Sequence, residues 1–207
     1  MALATGIACA QDLPGDVKRM LDTFNDEKIQ FREEPLALGS KDAKLTAVLF
    51  YAPSCIDSAE FMRNAFGEIK KNYIDTNKVQ LIIYDYPLNW RDMQLISGLR
   101  CLASDKQLEA MIDAADRRLA QVLRKTTFTS APGYFTSTLA KLGLSEEQAG
   151  KCMRNLEIIG HVEGMRKFAT EELNVLNTPT LLVGNARYTN ISNAALVSEI
   201  FEKHLKQ

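Results

Sequence analysis

The sequence predicts an α/β domain built on a mixed central sheet with a helical insertion. Three observations carry that prediction. Leu45 to Ala52 and Val79 to Tyr86 are short, almost unbroken apolar runs separated by a helical pattern, so they form a strand, helix, strand unit with parallel strands. From about Arg91 to Leu173 the chain keeps helical periodicity, too long for one crossover helix and therefore an insertion of several helices. Thr180 to Gly184 and Arg187 to Ile191 then read as two short strands, followed by an amphipathic helix from Asn193 to Lys206. The expected organisation is a leader remnant at 1–10, the first part of the sheet domain at 11–90, the insertion at 91–173 and the second part at 174–207.

Each element has a local reason. Met1 to Ala10 is small and apolar and ends in Ala8-Cys9-Ala10 before Gln11, like the tail of a secretory signal with an A-x-A cleavage site, although the basic n-region is missing. Export is the expectation, a frayed terminus the alternative, and a lipid anchor on Cys9 a weaker option. Leu13 to about Asn25 reads as an amphipathic helix with Pro14 in its first turn, where a missing N–H is harmless. The β-branched and aromatic members of Leu45 to Ala52 mark a strand buried on both faces. Pro53-Ser54 ends it, and Ala59, Phe61, Met62, Ala65, Phe66 and Ile69 recur at helical spacing, predicting a helix from near Cys55 to about Tyr73. Asp75 to Lys78 makes a turn, and Pro87 closes the second strand. Within the insertion, breaks are expected near Thr126 to Gly133 and at Gly143-Leu144-Ser145, where Ser145 with Glu146, Glu147 and Gln148 forms a capped helix start. Gly184-Asn185 is a hairpin-type turn.

Composition narrows the function classes. Among 207 residues, 46% are hydrophobic, enough to furnish one substantial core. Lysine plus arginine (25) nearly balance aspartate plus glutamate (26), which argues against a nucleic-acid or membrane-surface binder. No stretch approaches the roughly 18 to 20 apolar residues of a membrane-spanning helix. Cleavage after Ala10 leaves three cysteines, Cys55, Cys101 and Cys152, an odd count that in an oxidising compartment leaves one free thiol. His161 and His204 lie far apart without ligand spacing, so no metal or other cofactor is expected, and both are read as solvated helix residues. Trp90, Phe128, Tyr134 and Phe135 are read as insertion core or groove lining, and there is no phosphate loop or serine-hydrolase elbow.

Cys55 stands at the predicted strand-to-helix turn. There a cysteine meets unpaired backbone N–H groups and the positive end of the helix dipole, which favour thiolate over thiol. From sequence order alone, a small buried residue at a strand end is an equal reading. Gly39 to Phe50 running into Pro53-Ser54-Cys55, then Ser58-Ala59-Glu60-Phe61, resembles the first strand and active-site helix of DsbA-like thiol-disulfide oxidoreductases. Lys78 to Leu88 resembles the next strand of that family, and Asn177-Thr178-Pro179-Thr180 its cis-proline loop, so the resemblance covers nearly everything after about Pro35. It implies a thioredoxin fold with a helical insertion, a periplasmic location in the bacterial envelope, and cysteine-containing envelope proteins as clients. A redox partner protein or small thiol would serve as co-reactant.

The resemblance also exposes a departure. The family motif has two cysteines separated by two residues, often proline and histidine, whereas this chain reads Cys55-Ile56-Asp57-Ser58. Ser58 cannot accept a second sulfur, so no internal Cys-x-x-Cys disulfide can form. Asp57 brings negative charge near Cys55 and opposes the thiolate, while a hydroxyl at Ser58 could donate to the sulfur. Ser54 followed by Asp57 also looks like a helix-capping arrangement that needs no redox role. By the same resemblance Thr178 and Pro179 form a peptide-docking edge, and Cys101 with Cys152 form a second, non-catalytic disulfide. Two functions follow: a monothiol exchange protein, isomerase-like or reductase-like, or a redox-silent peptide-binding or chaperone-like protein.

Overall fold

The computed structural model describes residues 29–116, 120–121 and 131–206, with the side chains of 131, 132 and 134 left out. The expected leader at 1–10, the helix at 13–25, Phe128 and the Tyr134 ring lie outside the described residues.

Among the described residues the sheet has five strands: β1 (Leu36–Leu38), β2 (Leu45–Tyr51), β3 (Val79–Asp85), β4 (Thr180–Val183) and β5 (Ala186–Tyr188). Their order is β1-β3-β2-β4-β5, with β2 and β3 parallel and every other pair antiparallel. The parallel pair is forced by the helix between its strands, α1, which starts as Ile56–Phe61. It continues through a π-type stretch (Met62–Phe66), Gly67–Ile69 and a second π-type stretch (Lys70–Ile74). The hairpin of β4 and β5 turns on Gly184-Asn185, where Gly184 has φ +57°.

β1 was not legible in the sequence. Three residues give no periodicity, and the strand exists because the unpaired edge of β3 is there to pair with. Gly39 follows it at φ +86°, and a Cβ there would lie 2.9 Å from the Val79 carbonyl oxygen, so only glycine fits.

Alternation along β2 splits the core into two layers. Ala47, Leu49 and Tyr51 join the main cluster with Phe61, Phe66 and Ile69 of α1 and with Val197, Ile200 and Phe201 of the closing helix α7 (Ala194–Leu205). Val48 and Phe50 face the other side, against Ala169 and Val175.

Between β3 and β4 lie α2 (Trp90–Arg100), α3 (Ser104–Asp116), α4 (Ala131–Lys141), α5 (Glu146–Arg154) and α6 (Leu156–Glu171). Gly98 of α2 lets α4 approach so closely that a Cβ there would meet Leu139. α5 starts in a full capping box, Ser145 accepting from the Gln148 N–H and Gln148 accepting from the Ser145 N–H. The break expected up to Gly133 is shorter: α4 already contains Pro132 and Gly133, because proline in a first turn loses no hydrogen bond. No described helix is long and apolar enough to cross a membrane.

A buried ion pair joins sheet and insertion. Arg100, at the end of α2, lies 2.7 Å from Asp85 at the end of β3 and donates to the carbonyls of Arg32 and Glu33. Arg32 in turn donates to Gln107 of α3.

Candidate functional site

β2 ends at Tyr51, and the chain turns through Pro53 and Ser54 to Cys55, the N-cap of α1 in extended conformation (φ −79°, ψ 122°). No side chain caps this helix end. Cys55 is half-buried and is the free cysteine of the described residues. Its Sγ donates to the Thr178 carbonyl at 3.0 Å, and the Thr178-Pro179 peptide is cis.

Ser58 sits one turn on from Cys55, 0% exposed, and its hydroxyl has no hydrogen-bond partner among the described residues. The Thr178 hydroxyl is likewise buried and unpartnered. Ile56 is half-buried against the main core, whereas Asp57 is exposed. Solvent therefore screens the Asp57 charge that the sequence sets against the thiolate. The Thr180 hydroxyl donates to the carbonyl and side-chain oxygens of Asn177, stiffening the loop that carries Thr178.

Beneath the turn lies a carboxylate that sequence reading missed. Asp92, fully buried in the first turn of α2, accepts from the Ser54 N–H (2.7 Å), the Ser54 hydroxyl (2.7 Å) and the Leu88 N–H (3.0 Å). Burial raises its carboxyl above the usual carboxylate range, and the donors from Leu88 and Ser54 pull the other way. Burial also pushes the neighbouring Tyr51 phenol far up, and Asp92, Cys55 and Asp85 add to that shift. The available signal was the Asn89 to Asp92 spacing, an N-cap with an acid at the third helical position, which looks like ordinary capping. The expected capping role of Ser54 is thus corrected: its hydroxyl turns away from α1 to the buried carboxylate, a stronger acceptor than a helix end can offer.

The family model described as thioredoxin matches residues 32–203. The chain belongs to the thioredoxin family. A Rickettsia bellii relative named "Putative protein-disulfide oxidoreductase" is 23% identical over 80% of this chain. The chain spans 63% of that relative's length. Among solved structures, a cysteine-to-alanine variant of Wolbachia pipientis alpha-DsbA1 has TM-score 0.71 at 16% identity, covering 83% of this chain and 90% of that one. Oxidised BdbD from Bacillus subtilis has TM-score 0.69 at 19% identity, covering 84% and 94%. The shared feature is the thioredoxin fold with the DsbA-type helical insertion.

In this thioredoxin-family chain the residues read from sequence gather in two places. Cys55, Ile56, Asp57 and Ser58 lie at the start of α1, and Thr178 and Pro179 meet Cys55 from the loop before β4. Cys101 and Cys152 are elsewhere, bonded to each other between the end of α2 and α5 with Cα atoms 6.4 Å apart.

Two further readings, those of the histidines, need correction. His161 and His204 are half-buried and partnered, by the Glu33 carbonyl and the Tyr188 hydroxyl, because each packs against an aromatic ring. Of the aromatics read as insertion core or groove lining, Phe135 is core, whereas Trp90 is exposed, as are Leu88 and Leu176; Leu88 and Trp90 flank Asn89, which donates to Ser54, and Leu176 lies two residues before Thr178. Among the described residues no group of three or more His, Cys, Asp or Glu could hold a metal ion.

Proposed function

We propose that this protein is a thiol-disulfide exchange protein of the bacterial periplasm with a monothiol site at Cys55, acting as an isomerase or reductase in place of a dithiol oxidase. One observation carries the reading: the free thiol of the described residues stands at an uncapped helix start, touching the Thr178-Pro179 edge, with a buried serine one turn on. The Cys55 thiolate attacks one sulfur of a client disulfide, the client S–S bond breaks, and the second client sulfur leaves as thiolate and takes a proton. A client thiol that attacks the client sulfur of the mixed disulfide releases Cys55 in an isomerisation without net redox change. Alternatively a small external thiol attacks the Cys55 sulfur and frees the client as a dithiol, and a second external thiol then releases Cys55 as the external disulfide forms, so the two electrons gained by the client come from two external thiols. Thr178 and Pro179 dock the client backbone as an added strand. Exposed Leu88, Trp90 and Leu176 offer it apolar contact.

Insulin reduction and refolding of a scrambled disulfide substrate, on wild type and Cys55→Ala, test the reading. Wild type is expected to exceed the variant, and equal residual rates would remove the catalytic claim.

The second reading is a redox-silent peptide-binding protein, favoured by the thiol hydrogen bond to Thr178, which occupies a carbonyl that a client would use. Trapping from an envelope extract separates the two. An active monothiol accumulates mixed disulfides, whereas a silent scaffold binds clients equally well as Cys55→Ala and loses them on a change at Pro179.

A further inference from the structure

Ser54, immediately before Cys55, is held on three sides by groups outside α1. Its N–H donates to Asp92 Oδ1 and its hydroxyl to Asp92 Oδ2, while Asn89 Nδ2 donates back to that hydroxyl at 2.9 Å. Asn89 is also the N-cap of α2, its side-chain oxygen accepting from the Arg91 and Asp92 N–H groups. The result is a closed ring of hydrogen bonds that ties the turn before the thiol to the first helix of the insertion. Neither the acid nor the ring belongs to the site read from the Cys55 motif.

We propose that Asp92 is a positioning residue for Cys55: through Ser54 it clamps the turn so that the thiol lies against Thr178. The proposal rests on Cys55 as the reacting group of the function above. Asp92 touches neither the sulfur nor a client and acts only through the turn.

The clamp is complete only for the ionised acid. The Ser54 hydroxyl has one hydrogen and gives it to Oδ2, which also receives the Leu88 N–H, while Oδ1 receives the Ser54 N–H. A proton on Oδ1 meets the Ser54 N–H. A proton on Oδ2 either meets the Leu88 N–H or turns the Ser54 hydroxyl from donor to acceptor, so protonation removes or reverses at least one bond of the clamp. Because burial raises the Asp92 carboxyl, this loosening occurs at a less acidic pH than an exposed aspartate would require. The titratable groups packed around the site are few. Tyr51 from the end of β2 stays neutral, Asp85 from the end of β3 is paired with Arg100, and Asp57 on α1 is exposed. Arg91 is half-buried beside Asp92 on α2, and Cys55 itself completes the set.

The test follows the rate at which Cys55 reacts with a small aromatic disulfide such as 4,4′-dithiodipyridine, from acidic to neutral pH, in wild type, Asp92→Asn and Ser54→Ala. All the proteins carry Cys9→Ala, and Cys101 and Cys152 are bonded, so the signal belongs to Cys55. Wild type is expected to show an acid-side step in rate beyond thiol ionisation, as the clamp opens and the sulfur leaves Thr178. Asp92→Asn is expected to react about tenfold faster at neutral pH and to lose that step, since an amide puts a donor against one of the N–H groups. Ser54→Ala retains the charge and loses the hydroxyl link, so it should also react faster, by a smaller factor. A Ser54→Ala rate equal to wild type would reduce Asp92 to a charge effect and overturn the clamp, as would a step that persists in Asp92→Asn. If Asp92→Asn fails to fold, Ser54→Ala and the wild-type profile decide, and an unchanged variant with no acid step refutes the proposal. The probe reads the thiol whether or not clients are exchanged, so a failed insulin assay with an intact clamp would sink the function alone.

Discussion

Arg100 is almost completely buried, its guanidinium 2.7 Å from Asp85 and donating to the carbonyls of Arg32 and Glu33. Arg100→Met keeps most of the stem and removes the cation. Asp85, itself 3% exposed, then keeps Arg32 as a neighbouring cation among the described residues, and Arg32 is engaged by the Glu34 carbonyl and Gln107. Removing one partner of a buried pair typically costs about 3 to 5 kcal/mol, since the remaining charge stays desolvated. Against a typical total of about 5 to 15 kcal/mol, that is a large share. The double variant Asp85→Asn/Arg100→Met carries no stranded charge and should recover a good part of the loss, a coupling that a double-mutant cycle isolates. The assay is urea unfolding followed by far-UV circular dichroism at neutral pH with the disulfide intact. A single-variant loss below about 1 kcal/mol, the scale of an exposed pair, would refute the reasoning. So would a double variant no more stable than the single.

Two other stability predictions follow from the same structure. Cys101 and Cys152 close a loop with a sequence separation of 51, so replacing both by alanine should cost about 4 kcal/mol in the chain-entropy model, read as a lower urea midpoint; an unchanged midpoint would contradict it. Asp92 has a folded-state pKa above its unfolded value, so in the window between the two the native state binds more protons, and stability falls as pH rises through it. Unfolding midpoints across that acidic window should therefore slope less in Asp92→Asn than in wild type, and identical slopes would show that Asp92 is not the group responsible.

The legible part of the fold was the part built from local pattern. Leu45 to Tyr51 and Val79 to Asp85 announce themselves because a strand covered on both faces must be apolar nearly throughout. Ser145 with Gln148 and Gly184-Asn185 announce themselves because caps and tight turns need particular side chains. The same locality put Cys55 at a helix start and Ser58 one turn later. β1 stayed hidden because three residues carry no period and only the edge of β3 gives them a partner.

By itself, then, the sequence determined that Cys55 stands at the head of a helix with Ser58 where a Cys-x-x-Cys motif would have its second sulfur, since a serine cannot form a disulfide whatever surrounds it. Only the tertiary structure decided what that thiol meets. Thr178 stands far along the chain from Cys55, and Asp92 reaches Ser54 from another helix, so no spacing rule connects them. The balance between an exposed Asp57, a buried Asp92 and a carbonyl 3.0 Å from the sulfur depends on burial and distance, which exist only once the chain is folded.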